Sequence, residues 1–319
     1  MYDLHLNRLL IGAAKKANIC QTTKLFVKYL AEAAIFFVYL HLVLRILRSF
    51  KNMTKVLFIS QEIFPYLPES EISTICRELP QGIQERGKEI RTFMPKYGTI
   101  NERRNQLHEV IRLSGMNLII DDNDYPLIIK VASIQAARMQ VYFIDNDEFF
   151  YKRSILADDD GVEYSDNDDR CIFFARGVIE TVRKLRWVPD VVHCHGWISA
   201  LAPLYIKRAF ADDPCFRNTK VVFSLYNNPY KQSFDVSFKR KLVLDGITDE
   251  DLTNIPDEAD FLALQKLAIA YSDGVIQASP EVDPTLIEAI EAKGLPFLSH
   301  QEPDLYIDAC NEFYDQIIG

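Results

Sequence analysis

Two histidines one residue apart, His193 and His195, stand at the end of the apolar run PDVV and are followed at once by Gly196 and Trp197. Alternate residues of a strand point to one face, so both imidazoles can serve a single site. Metal ligation by such a pair needs further donors, and the spacing offers none. The pair therefore reads as part of a binding cleft, with neither metal nor cofactor expected. Cys194 points to the opposite face and reads as buried, a Cys–His nucleophile pair being the weaker alternative. Asp166, Asn167 and Arg170 form a second polar group that either orients a ligand hydroxyl or caps the helix starting there. Tyr97, Tyr226, Tyr230 and Trp197 offer planar faces that could stack on a ligand ring or pack in the core. The acidic loop at 158–169 lacks the twelve-residue EF-hand pattern and reads as solvated. None of the six cysteines forms a CxxC pair, as fits reduced, mostly buried thiols in a cytoplasmic protein.

The elements that must position these residues alternate between short apolar runs and amphipathic stretches. Lys55–Ser60 (KVLFIS) is apolar after its lysine, the pattern of a strand buried on both faces. Ile72, Ile75, Cys76, Leu79 and Ile83 then recur at helical spacing, with Gly87 as a stop. Strands are predicted at 90–94, 109–121, 127–135, Met139–Asp145, 189–193, Lys220–Leu225 and Gly274–Gln277; the second and third of these read as a hairpin excursion. Helices are predicted at 168–186, 197–208, 261–271, 283–293 and, at the end, 305–318. Regular strand–helix units of this kind imply a single Rossmann-like, doubly wound, mostly parallel α/β sheet. Ligands of such sheets sit at the carboxyl ends of the strands, where strand order reverses. The loop after the first strand, QEIFPYLPES, has two prolines and no glycine. It can form neither a dinucleotide fingerprint nor a P-loop.

Charge divides the 319 residues in two. Residues 1–52 carry about +6, and residues 53–319 about −15. The acidic body would repel a phosphate backbone, so nucleic acid is not an expected partner. The first 52 residues contain an uncharged, mostly apolar stretch, AAIFFVYLHLVL. It is short for a membrane span, which needs about 20 residues. Three readings stay open: translation starting at Met53, a helix anchored on a membrane through residues 25–50, or an additional packed helix.

Six blocks in order carry a family resemblance: KVLFISQEIFPY, LPQGIQERGKEIRTFMPKYGTI, YSDNDDRCIFFARG, PDVVHCHGWISALAPL, KVVFSLYNNPY and YSDGVIQASP. Together they resemble the N-terminal half of bacterial glycogen and starch synthases. The resemblance implies a chain related to glycosyltransferases that move glucose from ADP- or UDP-glucose to an α-1,4-glucan in the cleft between two Rossmann-like domains. It makes Glu62, Tyr97, Asp166, Asn167, His193, His195, Trp197 and Asn227 candidates for ligand binding, with no catalytic residue assigned.

The chain also departs from the family's pattern. Where the family has Lys-x-Gly-Gly in the first loop, this sequence places Pro68, Ser70 and Glu71. The H-x-H-D-W-H block becomes His193, Cys194, His195, Gly196, Trp197 and Ile198, without the aspartate and third histidine. Tyr226 replaces a histidine, while Asn227 matches. The 267 residues from Met53 onward suffice for one Rossmann-like half and leave no room for a second. The resulting expectation is a protein of α-glucan metabolism that is non-catalytic or partner-dependent, a pseudoenzyme in the first case. The alternatives are a glycosyltransferase completed by a second chain and a glucan- or sugar-binding module. Homo-oligomerisation across the face where a second domain would dock is a further expectation.

Overall fold

In the computed structural model, Phe36 and residues 53–319 are described. The chain divides into two units, Met1–Met53 and Thr54–Gly319. The three readings of residues 1–52 (a start at Met53, a membrane-anchored helix at 25–50 or an additional packed helix) lie, Phe36 apart, outside the described residues. No helix among the described residues is long and apolar enough to cross a membrane.

The apolar run after Lys55 becomes β1 (Lys55–Ser60), whose alternate residues supply two separate apolar layers. Leu57 and Ile59 face the larger layer, Val56 and Phe58 the smaller. This two-sided burial is what an uninterrupted apolar strand requires. Next comes α1 (Glu71–Glu85), opened by a capping box: Ser73 N–H donates to Ser70 Oγ at 3.0 Å, and Ser70 N–H to Ser73 Oγ at 2.8 Å. The chain then forms β2 (Glu89–Pro95), β3 (His108–Glu109), β4 (Met116–Ile120), β5 (Asn123–Ile134) and β6 (Met139–Asp145). It continues through α2 (Asp147–Phe150), α3 (Asn167–Leu185), β7 (Val191–His195), α4 (Ala202–Lys207) and β8 (Lys220–Leu225). Short helices α5 (Phe238–Lys241) and α6 (Asp249–Leu252) precede α7 (Phe261–Ala270) and β9 (Gly274–Gln277). Last are α8 (Pro284–Lys293), β10 (Phe297–Leu298) and α9 (Tyr306–Ile318).

The strand order is β10-β9-β8-β7-β1-β2-β6-β5-β3, with β4 paired to β5. Strands β10 through β6 in that order run parallel, and β3, β4 and β5 form the antiparallel excursion. This is the mostly parallel Rossmann-like α/β sheet the sequence pattern implies. Three segments come out differently. The run at 109–121 breaks into β3 and β4, because 110–114 turns back on itself (Leu113 N–H to Val110 O, 2.8 Å) and Gly115 takes φ +82°. The helix predicted from Trp197 begins instead with one 3-10 turn, Trp197–Ser199, and α4 starts only at Ala202 with Pro203 in its first turn. The segment between 293 and 305, for which no element is predicted, contributes β10, which pairs parallel with β9.

Strand order reverses between β1, followed by β2 on one side, and β7, followed by β8 on the other. A ligand crevice opens at such a point in many α/β folds. Here the side chain of Gln61, the residue after β1, fills it. Trp197 N–H donates to Gln61 Oε1 at 3.1 Å, and Gln61 N–H donates to His195 O at 3.0 Å. Gly196 makes this approach feasible, with φ +82° and no Cβ; a Cβ there would lie 2.6 Å from the Cβ of Gln61. Gly196→Ala is expected to lower unfolding stability by about 2 kcal/mol, from backbone strain and steric overlap together. A denaturation midpoint unchanged from wild type would contradict this account of the crevice.

Candidate functional site

Three strand ends and two helices converge on one cavity of about 600 Å³. Its walls include the start of α1 (Glu71, Thr74, Ile75), His193 and His195 of β7, Ser224 of β8, Ile276 of β9, and Tyr306 and Cys310 of α9. Helix α9 therefore forms one wall of the cleft and leaves the space open. Its Cys310, Phe313 and Tyr314 pack with Val56, Phe58, Leu79 and Ile83, which hold the helix against β1 and α1.

The two histidines face the same way, as their alternation predicts, with ring centroids 3.9 Å apart. Both are fully buried. His193 Nδ1 lies 2.6 Å from Tyr314 Oη and its Nε2 2.7 Å from Ser224 Oγ, so both ring nitrogens are engaged. His195 Nδ1 lies 2.8 Å from Tyr226 Oη, whereas its Nε2 has no partner. Burial holds His193 well below its ordinary range, the neighbouring imidazole adding to the effect. Burial alone pushes His195 down to about 3. Burial also keeps the Tyr226 and Tyr314 phenols protonated, by pushing their values well up. The pair is thus a neutral, hydrogen-bonded unit at the cavity wall. No group of three His, Cys, Asp or Glu side chains among the described residues is arranged to hold a metal ion.

The first loop carries a second feature. Glu71 opens α1, and its carboxylate accepts a hydrogen bond from Ser279 Oγ at 2.5 Å. Ser279 Oγ in turn accepts from Asn227 N–H at 3.0 Å. The loops after β8 and β9 are thereby tied to the first turn of α1. A helix N-terminus is ordinarily an anion site. Here the Ser70–Ser73 capping box satisfies two N–H groups, those of Ser70 and Ser73, and a carboxylate of the chain itself stands beside the helix start.

The remaining sequence candidates fall elsewhere. Glu62, buried beside the crevice, lies within 3.4 Å of the Gln61 amide, and burial raises its carboxyl above the ordinary range. Trp197 is buried against Tyr230 (5.9 Å between centroids) and Phe234 (6.4 Å). Tyr97, Asp166 and Asn167 gather around the fully buried Arg170. The Arg170 guanidinium donates to the carbonyls of Phe149, Ser154 and Ile155 and to Asn167 Oδ1, at 2.6–3.0 Å. Its carbon lies 5.8 Å from the centre of the Tyr97 ring. Asp166 occupies the cap position of α3 without a side-chain cap bond and pairs instead with Arg153 at 2.5 Å. The helix-cap reading of Asp166 is thereby corrected: a guanidinium within reach outcompetes a backbone N–H for the carboxylate. The structure thus brings His193, His195 and, through Ser279 and Glu71, Asn227 to the cavity. It places Tyr97, Asp166 and Asn167 in a separate polar cluster. Sequence reasoning did not single out Ser279, Ser224 or Tyr314. They reach the site only through strand neighbours and the return of α9, which leave no local sequence signal.

The fold and this cleft at the strand ends define a Rossmann-like α/β domain with a ligand-sized space at the carboxyl ends of its strands. The chain belongs to the starch synthase catalytic domain family, whose sequence profile matches residues 55–295. It is 38% identical over 174 residues to a glycogen synthase of Pelodictyon phaeoclathratiforme, covering 54% of this chain and 36% of that protein. It is 33% identical over 227 residues to a glycogen synthase of Chlorobaculum parvum, covering 71% of this chain and 46% of that protein. The chain thus spans less than half the length of these relatives. Among solved structures, the catalytic domain of starch synthase IV from Arabidopsis thaliana, bound to ADP and acarbose, aligns with a TM-score of 0.63. That match has 18% identity, covers 78% of this chain and 51% of the other, and shows the shared fold.

Proposed function

We propose that this chain works in α-glucan metabolism as a glycogen/starch synthase relative that does not transfer glucose by itself, acting either on a glucan directly or through a partner chain. One observation carries the reading. The α1 N-terminus, where the family pattern has Lys-x-Gly-Gly, is closed by the Ser70–Ser73 capping box and by the Glu71–Ser279 bond. A diphosphate placed there meets a carboxylate instead of an ammonium group, and the Ser70 and Ser73 N–H groups are already used by the capping box. Transfer depends on stabilising the leaving nucleotide's charge, and this loop supplies the wrong sign.

The test combines an assay with a restoration. The purified full chain, given ADP-glucose and glycogen, is expected to show no incorporation of glucose and no calorimetric ADP binding below about 1 mM. Writing the family's loop back in (Pro68→Lys, Ser70→Gly, Glu71→Gly) is expected to raise ADP affinity by about tenfold, by replacing a repulsive charge with an attractive one. Glucose transfer by the unmodified chain alone would sink the proposal. So would a restored loop with no gain in ADP binding. Retention on sedimented glycogen separates direct glucan binding from action through a partner.

A further inference from the structure

The cavity beside His193 and His195 has a one-sided hydrogen-bonding chemistry. Its body is apolar, with Ile75, Leu79, Ile276 and Leu298 on the walls, and at about 600 Å³ it has the size of a small-molecule site. Four carboxylates line it (Glu69, Glu71, Glu78 and Glu302), and no Lys or Arg among the described residues does. Most donors on its walls are committed already, the Thr74 hydroxyl being an exception among the described residues. The Tyr306 hydroxyl donates to Glu78, the Ser224 hydroxyl is engaged with His193, and His300 Nδ1–H donates to the Ala278 carbonyl. The amide of Gln277 donates to the Ser279 and Pro280 carbonyls, and that of Gln301 to the Ser299 carbonyl. The acceptors are not committed to the same degree. Glu69 and Glu302 make no side-chain hydrogen bond among the described residues; the fully buried His195, also on the wall, keeps an Nε2 without a partner, a donor or an acceptor according to its tautomer.

A site with apolar walls, spent donors and unspent anionic acceptors is complementary to a ligand that brings the donors and the positive charge. We propose that this cavity binds a small organic amine, with its apolar body between α1, β9 and α9 and its ammonium group among the carboxylates at the mouth. A nucleotide or sugar phosphate in the same space would meet those carboxylates with like charge. The proposal does not rest on the loss of glucose transfer, since an amine can bind whether or not the chain acts on glucans.

Calorimetric titration of the full chain with three probes of similar size separates charge from shape: phenethylamine, 2-phenylethanol and 3-phenylpropanoate. Phenethylamine is expected to bind about tenfold more tightly than the alcohol, with the anion weakest, and to weaken as salt is raised. The exposed pair Glu69→Gln and Glu302→Gln is expected to remove most of the preference for the amine while leaving the melting temperature unchanged. Leu298→Trp, which fills the wall, is expected to abolish binding of all three probes. Equal affinities for amine and anion, no amine binding in the wild-type chain, or an unchanged preference in the double glutamine variant would each overturn the proposal. Glycogen sedimentation is read separately, so failure of one proposal leaves the other standing.

Discussion

Arg170→Met is expected to lower unfolding stability by about 3–5 kcal/mol, the largest effect of any single substitution considered in this chain. Methionine keeps much of the volume of the arginine stem, so little of the loss comes from an empty cavity. It comes from what the guanidinium holds. Three carbonyls, of Phe149, Ser154 and Ile155, and the Asn167 side chain converge on it inside the protein. Without it, the buried Phe149 carbonyl and Asn167 amide oxygen have nothing to receive from, at a penalty of about 1–3 kcal/mol each, and the half-buried Ser154 and Ile155 carbonyls lose their donor to water. The guanidinium also lies over the rings of Tyr97, Phe150 and Tyr164, at 4.9–5.8 Å, and those contacts go too. Urea unfolding monitored by circular dichroism gives the cost directly. Hydrogen exchange should show the gain in opening concentrated at 147–167, the segment whose carbonyls Arg170 gathers. If Arg170→Met instead left stability intact and reduced glucan retention, the cluster would be a sugar site and its structural assignment would be wrong.

The second large effect is a dependence on acid. His193 and His195 are held neutral by burial, the first well below its ordinary value of 6.5 and the second at about 3. Below pH 6.5 the unfolded chain takes up protons at both positions while the folded chain does not. Stability contributed by the pair is therefore complete above about pH 7.5 and is lost as pH falls from 6.5 toward 3. At pH 5 the His195 site has lost about 2 kcal/mol, and His193 works in the same direction. Asp169, raised to about 6 by burial, works in the opposite direction over the same range, because the folded chain binds its proton more readily. A wild-type curve alone mixes the two contributions. His195→Asn separates them, since the asparagine amide can occupy the place of Nδ1 opposite Tyr226 and does not titrate. The stability gap between wild type and His195→Asn should shrink by about 2 kcal/mol between pH 7.5 and pH 5. A gap constant over that range would mean that His195 titrates normally in the fold.

The crevice shows where a sequence pattern leads toward a site and where it stops. The alternation of His193 and His195 in an apolar run was enough to place both imidazoles on one face, because strand geometry dictates that from two residues of separation. Partial alternation of apolar and polar residues predicts one strand across 109–121. The turn that splits it depends on hydrogen bonds from Leu113 and Ser114 to the Val110 carbonyl, which periodicity cannot register. Asp166 stood in a proper cap position, yet its carboxylate went to Arg153, thirteen residues earlier in the chain. Local rules name the residues with unsatisfied chemistry. Competition among distant partners then decides how they are satisfied.

By itself, the sequence of this chain determined the doubly wound α/β sheet, the family and the absence of a phosphate-cradling loop. Each rests on short-range properties: apolar runs with period two or 3.6, blocks of identity in order, and the lack of glycine between Ser60 and Glu71. Tertiary structure alone decided that Gln61 fills the switch point, that Glu71 meets Ser279 across 208 residues, and that α9 returns to place Tyr314 on His193. The physical reason is common to all three. A buried polar group must find a partner wherever the fold brings one, and the partner's distance along the chain carries no information about its distance in space.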